Sequence, residues 1–337
     1  MATVVTPDPA VWDSFVETRG GSLLQTARWG QLKAQFGWQD HLIAVQQGDE
    51  MIGGALVLTR RLPLGQFAYV PRGPVVDWDQ PQHVHAVLAA LDGIGTAFVK
   101  IEPDATDSEA IRDLLAEHGW RESEQTVQPP RTVLIDVDDA PDAIMARMNQ
   151  STRRKIRLSD RRDVAIRRGD SADVAVFSQL AEITGERNDF GVHSEAYHQM
   201  AFDLFAPDHA VLLMASYEGQ DLAGLMAFQW GDRAYYLYGA SSSKERNRMP
   251  TYGLQWAAME WAREKGCTVY DMWGIPDADE EILEAEFQER RDGLWGVYGF
   301  KRGFGGRVVR SVGAWDKVYN PAVYAAYRLV LRAREAL

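Results

Sequence analysis

Two stretches decide the fold: AVQQGDEMIGGALVL (44–58) and ASYEGQDLAGLMAFQ (215–229). Each reads as a strand, a tight turn at Gly48 or Gly219, and a second strand, because apolar runs flank a short polar segment containing glycine. A further glycine, Gly53 or Gly224, follows five residues after each turn, and the two turns lie 171 positions apart. Downstream, GTAFVKIEP (95–103) answers GCTVYDMWGIP (266–276), with Gly95 and Gly266 again 171 apart. A helix is predicted before each of these strands. One covers 81–92, with Val84, Val87, Leu88 and Leu91 on one face; the other covers 252–265, with Leu254, Ala257, Ala258 and Trp261. The order hairpin, strand, helix, strand thus occurs twice. It predicts two similar α/β domains related by internal duplication, each a mixed sheet flanked by helices. A cleft between two such domains is the expected ligand site.

The 337 residues fit two domains, and 46% hydrophobic with 25% charged residues is globular composition. A single cysteine, Cys267, excludes an internal disulfide and a cysteine-built zinc or iron–sulfur site, and it fits a reducing, cytoplasmic setting. No basic stretch followed by an apolar run opens the chain, and no 18-residue apolar window spans a membrane. The net charge of −12 argues against general nucleic-acid binding. The charge is uneven, however. Segment 151–168, STRRKIRLSDRRDVAIRR, carries eight basic residues against two acidic ones, whereas 277–292 carries eight acids and two arginines. A helix over the basic run, with Ile156 and Val164 inward, would turn its arginines outward as a polyanion-binding face or as a solvated surface.

Three motifs carry candidate chemistry. In GFKRGFGG (299–306), strand alternation would send Phe300 and Arg302 to one face and Lys301 to the other. A cation fixed between aromatics suits an anion or a developing oxyanion. In LLQTARWGQLKAQFGW (23–38), Thr26 reads as the N-cap of a helix carrying Trp29, Leu32, Lys33 and Phe36, with Trp29 and Trp38 as packing residues. In YVPRGPVVDW (69–78), the two prolines predict extended backbone around Arg72. His83 and His85 form an H-x-H pair with no evident third ligand, so no metal is expected. G-x-S-x-G, P-loop and H-E-x-x-H signatures are absent. Two bound substrates reacting with each other would fit a chain without a legible nucleophile.

The hairpin–strand–helix–strand unit resembles the GNAT acyltransferase fold. That family holds coenzyme A pyrophosphate on a paired-glycine loop before the central helix. The corresponding stretches, VVDWDQPQ (75–82) and RNRMPTYG (246–253), lack the paired glycines, which speaks against ordinary acetyl-coenzyme A use. Taken in order, LLQTARWGQLKAQFGW, YVPRGPV, STRRKIRLSDRRDVAI, AYYLYGASS, MPTYGLQWAAMEWAREKG, YDMWGIP, GFKRGFGG and VGAWDKVYNP resemble the Fem-type (FemABX) peptidoglycan aminoacyltransferases over nearly the whole chain. The short span of 150–290 resembles the compact members without a helical arm.

The resemblance implies two GNAT-like domains, 1–145 with a returning C-terminal helix at 318–337, and 146–317. Val323, Tyr327 and Val330 would form that helix's apolar stripe. It also implies transfer of an amino acid from aminoacyl-tRNA to the stem-peptide side-chain amine of a peptidoglycan precursor. That acceptor is UDP-MurNAc-pentapeptide or its lipid-linked form, no cofactor takes part, and peripheral membrane contact is possible. Lys301 and Phe300 match the family's catalytic Phe-Lys pair. Lys33 matches its phosphate-binding lysine. Where the family has an arginine four residues before a tyrosine that shares this phosphate binding, this chain has His193 before Tyr197, with Arg187 as a substitute. Arg72, Tyr238 or Tyr252, and Glu102 or Asp104 would line the substrate site. Arg153, Arg154, Lys155, Arg157, Arg161 and Arg162 would hold tRNA. The alternative is a GNAT-type acyltransferase with an acyl-coenzyme A donor.

Overall fold

The computed structural model describes residues 2–63, 65–188 and 191–335. It divides into two units, 1–130 with 310–337, and 131–309. In the first, β1 (Ala2–Val5) and α1 (Pro9–Thr18) lead to α2 (Ala27–Ala34), whose N-cap Thr26 accepts a hydrogen bond from the Trp29 amide. The first hairpin follows as β2 (Gln39–Gln47) and β3 (Glu50–Leu62), turning through Gly48 at φ 64°. β4 (Gly65–Val70), β5 (Val75–Val76), α3 (Pro81–Asp92), β6 (Phe98–Ile101), α4 (Glu109–Glu117) and β7 (Arg121–Glu122) complete this segment.

The second unit opens with β8 (Arg131–Asp136), α5 (Pro141–Arg147) and α6 (Gln150–Arg161). Then come β9 (Ala165–Arg168), α7 (Asp173–Asn188), α8 (Glu195–Phe205), and the second hairpin of β10 (Ala210–Tyr217) and β11 (Gln220–Trp230). It closes with β12 (Arg233–Ser241), α9 (Pro250–Glu264), β13 (Val269–Ile275), α10 (Glu280–Glu286), α11 (Trp295–Lys301) and β14 (Arg307–Arg310). β15 (Trp315–Val318) and α12 (Pro321–Glu335) end the described chain.

The duplication is visible in the strand order. The first sheet runs β1-β2-β3-β4-β6-β15-β7, and the second, read from its β9 edge, runs β9-β10-β11-β12-β13-β8-β14. The fourth and fifth positions are the parallel pair in both sheets, β4 with β6 and β12 with β13, each bridged by its predicted helix. The post-turn glycines also serve the same end. A Cβ on Gly53 would lie 2.6 Å from Val87 of α3, and one on Gly224 would lie 2.7 Å from Phe177 of α7, so both let a helix press onto the hairpin.

Both predicted boundaries fall elsewhere. Residues 131–145 were expected in the first domain, but β8 pairs with β13 of the second sheet, Tyr270 facing Ile135. Residues 310–317 were expected in the second, but β15 pairs with β6, Trp315 facing Ile101. The C-terminal helix does return to the first unit, where Tyr324 and Tyr327 lie 5.1 and 4.9 Å from Phe98 between ring centroids. Its stripe differs from expectation: Tyr324 is buried with Val323, while Val330 is 55% exposed. Lys100 and Asp316, each 1% exposed, pair at 2.9 Å between β6 and β15. Lys100 Nζ also donates to Ser123 Oγ and the Gln125 carbonyl, and the Tyr324 hydroxyl donates to Asp316 Oδ2.

Candidate functional site

The GFKRGFGG motif is not a strand. Trp295, Tyr298 and Lys301 are all buried, a spacing of three that belongs to one helix face, and they form α11. The glycines serve packing. A Cβ on Gly303 would meet Thr152 Oγ1 at 2.3 Å, one on Gly305 the Arg147 carbonyl at 2.2 Å, and one on Gly306 the Leu134 carbonyl at 2.5 Å. Gly305 also adopts φ 79°. The motif therefore wedges itself against the α5–α6 junction and β8, which fixes the end of α11.

From that end Phe300 and Lys301 go separate ways. Phe300 meets Tyr252 of α9 at 4.8 Å between centroids, and Phe304 stacks on the same ring at 5.8 Å. Lys155 of α6 donates to the Tyr252 hydroxyl at 2.9 Å, so this lysine is directed at Tyr252 rather than outward. Lys301 is 6% exposed and donates to the carbonyls of Trp273 (3.1 Å) and Gly274 (2.6 Å) on β13. Its ammonium lies 5.8 Å from the Tyr236 ring centroid on β12.

This is where the two parallel strands part. β12 and β13 pair only from Arg233↔Val269 to Tyr235↔Asp271. On the other side, the β13–β8 ladder breaks between Asp271 and Gly274. Trp273 sits at φ 61°, and two successive carbonyls reach one ammonium, whereas a regular strand would turn them to opposite sides. Burial pushes the Lys301 amine down to about 7, opposed by the charge of Asp271. Asp271 is 3% exposed, and its Oδ1 accepts from the Thr132 hydroxyl and, at 2.7 Å, from the Trp273 amide.

A second cluster lies on α8 and β12. His193 stacks on Tyr197 with centroids 3.8 Å apart, and the Tyr238 hydroxyl donates to that of Tyr197 at 3.3 Å. His198, absent from the sequence reading, is 2% exposed, contacts Ser178 Oγ at 2.9 Å, and is driven down to about 4 by burial. Arg187 donates to the Ser241 carbonyl and hydroxyl, and burial and Arg246 lower its guanidinium.

In the first unit, the expected acids follow the carboxyl end of β6, which pairs in parallel with β4. Glu102, 4% exposed, accepts from the Tyr69 hydroxyl (2.5 Å) and the amides of Val127 (2.5 Å) and Gln128. Burial raises its carboxyl, and these hydrogen bonds oppose the rise. Arg72 is neither extended nor on the surface. It is 5% exposed at φ 51°, 3.6 Å from Asp104, and donates to the Pro129 carbonyl at 2.7 Å. Lys33 closes α2 over the Trp29 ring at 5.4 Å, and burial together with Arg60 pushes its amine down to about 8. Trp29 is buried, while Trp38 packs on Phe67 and Tyr69 under the Arg60 guanidinium.

The basic run makes a shorter helix than expected. α6 ends at Arg161, Asp163 takes φ 58°, and Val164 is buried beyond the helix before β9 begins. Arg167 and Arg168 pair with Asp173 and Glu264. Arg153 donates to the Met148 carbonyl at the end of α5, Arg161 to the Arg157 carbonyl, and Arg162 to the Asn247 carbonyl. Arg154 and Arg157 are exposed and form no ion pair among the described residues. With Gln150, Ser151 and Arg153 they line a surface hollow of about 550 Å³. His85 meets His118 rather than His83, their rings 4.2 Å apart, and no group of three potential metal ligands occurs among the described residues. No described helix is long and apolar enough to cross a membrane, and the longest, α7, has 16 residues.

Comparison with known proteins agrees with this architecture. Lipid II:glycine glycyltransferases of Staphylococcus aureus (strain USA300) and Staphylococcus saprophyticus are each 26% identical, covering 93% of this chain and 92% of theirs. The crystal structure of FemX superposes with a TM-score of 0.86 at 23% identity, covering 96% of this chain and 99% of that one. A tandem GNAT protein from the clavulanic acid biosynthesis pathway superposes at 0.54, with 12% identity over 95% and 99% of the chains. The sequence model of the FemAB family matches residues 9–113, 109–221 and 215–332, and the chain belongs to the FemAB family.

Proposed function

We propose that this protein transfers an amino acid from aminoacyl-tRNA to the side-chain amine of the stem peptide on a lipid-linked peptidoglycan precursor. Its relatives at 26% identity are named for glycyl transfer to lipid II, which supports that acceptor over the soluble UDP-MurNAc-pentapeptide. The observation that carries the reading is the Lys301 ammonium, buried and seated on two carbonyls where β12 and β13 diverge.

An aminoacyl ester is already activated, so its conversion to an amide needs no ATP. The neutral acceptor amine attacks the ester carbonyl, the C–N bond forms, and the C–O bond to the tRNA ribose breaks. The amine's proton leaves with that oxygen. Two of the three Lys301 N–H groups go to carbonyls, which leaves one for the developing oxyanion or the departing ribose oxygen. An amine near 7 is matched to proton donation at neutral pH. Phe300, packed on Tyr252, fixes the helix end that carries Lys301. Lys33, with Arg60 beside it, is assigned to the precursor's diphosphate. His193, four residues before Tyr197, is assigned with Lys33 to those phosphates, and Arg72, Tyr238 or Tyr252, and Glu102 or Asp104 are assigned to the rest of the precursor. Arg153, Arg154 and Arg157 of the hollow are assigned to tRNA phosphates, which attract such cations in a salt-dependent way. The reaction is placed at the cytoplasmic face of the membrane, where charged tRNA is available.

Incubation with a pool of charged tRNAs and either lipid-linked or soluble precursor, followed by mass measurement, tests this. The expected product is lipid-linked precursor heavier by one amino-acid residue, lost on ribonuclease treatment. Transfer from an acyl-coenzyme A without tRNA, or no amide with any donor, overturns it.

A further inference from the structure

Lys301 alone does not explain why its two carbonyls converge. The strand sequence VYDMWGI (269–275) places one acid, Asp271, in an otherwise apolar run. Its oxygen Oδ1 gathers two donors, the Thr132 hydroxyl from β8 and the Trp273 amide two residues on. The second bond draws the chain out of the β13–β8 ladder, and the left-handed Trp273 then turns its own carbonyl and that of Gly274 toward Lys301. A carboxylate 3% exposed would be costly without charge compensation, and Lys301 is a buried amine whose charge interacts with it.

We propose that Asp271 is a positioning residue: it builds the left-handed bend at Trp273 that seats the Lys301 ammonium, and its carboxylate supplies the opposing charge to that ammonium. This rests on the reading of Lys301 as the working cation. Other ionisable groups on the surrounding elements include Arg233, Tyr235, Tyr236 and Tyr238 on β12, Tyr270 on β13, Arg131 and Asp136 on β8, with Arg131 paired to Asp277 and Asp279, Tyr298 on α11, and the Glu284–Arg302 pair linking α10 to the end of α11. Among all of these, Asp271 is the group whose charge bears on Lys301.

Asp271→Asn is the decisive variant, because an amide oxygen still accepts from Thr132 and Trp273 while the charge is gone. The Lys301 amine is followed by NMR in lysine-labelled protein, its signal identified by its loss in Lys301→Met. The expected result is a titration midpoint lowered by about one pH unit, with thermal stability little changed. Asp271→Glu, which keeps the charge, is expected to restore the midpoint. A midpoint in Asp271→Asn equal to that of the wild type overturns the proposal, whatever its effect on stability. Should Asp271→Asn not fold, Thr132→Val loosens the carboxylate and keeps its charge. It is expected to lower kcat at least tenfold with KM and the Lys301 midpoint unchanged, and an unchanged kcat overturns the proposal. The titration needs no substrate. A wild type inactive with every donor therefore removes the transferase reading, while the titration still decides the role of Asp271.

Discussion

Lys301 has to stay charged in a place that disfavours charge. Its two carbonyl partners compensate without neutralising it, and an ammonium so held is a preorganised donor. Lys301→Met is expected to lower the single-turnover rate of amide formation by about 10²–10³, with precursor affinity retained. Equal rates remove Lys301 from the chemistry. Because the protonated form acts, turnover is expected to fall as pH rises above about 7. An acidic limb would report the acceptor amine losing its proton. Stability has the opposite slope. An unfolded lysine titrates near 10.5, so between about 7 and that value the unfolded chain binds the extra proton, and unfolding free energy rises with pH. Denaturation series for wild type and Lys301→Met check this: only the wild type carries that part of the rise.

At the scale of elements, the two hairpins, the helix at 81–92 and the cap at Thr26 were legible, because local patterning and burial agree there. α11 was not. GFKRGFGG is too short to show a helical period, and the decisive aromatics, Trp295 and Tyr298, lie upstream of the motif. Its glycines answer to Arg147, Thr152 and Leu134, contacts that no spacing within the motif encodes. Among candidate site residues, Lys301 was legible as a cation held by structure, but its partners were not, since they depend on the bend at Trp273. The lone acid in VYDMWGI was the available signal for Asp271. The arginine run misleads in the other direction: composition counts eight cations, and the fold leaves Arg154 and Arg157 exposed at the hollow. Replacing both with Gln is expected to weaken tRNA binding and reduce its log–log salt slope by roughly two, at about 0.9 per phosphate contact. A salt titration of affinity that keeps its slope sinks that assignment. The Lys100–Asp316 pair belongs to this scale as well, since it ties β15 to β6. Asp316→Ala leaves a buried ammonium without its counter-charge and is expected to cost about 3–5 kcal/mol in denaturant unfolding.

Across the whole molecule, the same seven-position order in both sheets is the strongest mark of duplication. The copies differ in where the sixth strand comes from. In the second sheet it is β8, which opens a continuous unit spanning 131–309. In the first it is β15, reached only after that whole unit. Removing residues 310–337 is expected to expose the first unit to protease while the second stays resistant, because β6 and β7 lose the strand between them and Phe98 loses its cover. Equal resistance of both units would contradict this.

That arrangement has a consequence for synthesis. As the nascent chain leaves the ribosome, the lobe built on β2 to β7 emerges before the other and yet must wait, its sheet open at β6, until β15 is translated. The later-made lobe can close ahead of it, so maturation runs against the direction of translation, and chaperone demand should fall on the older half.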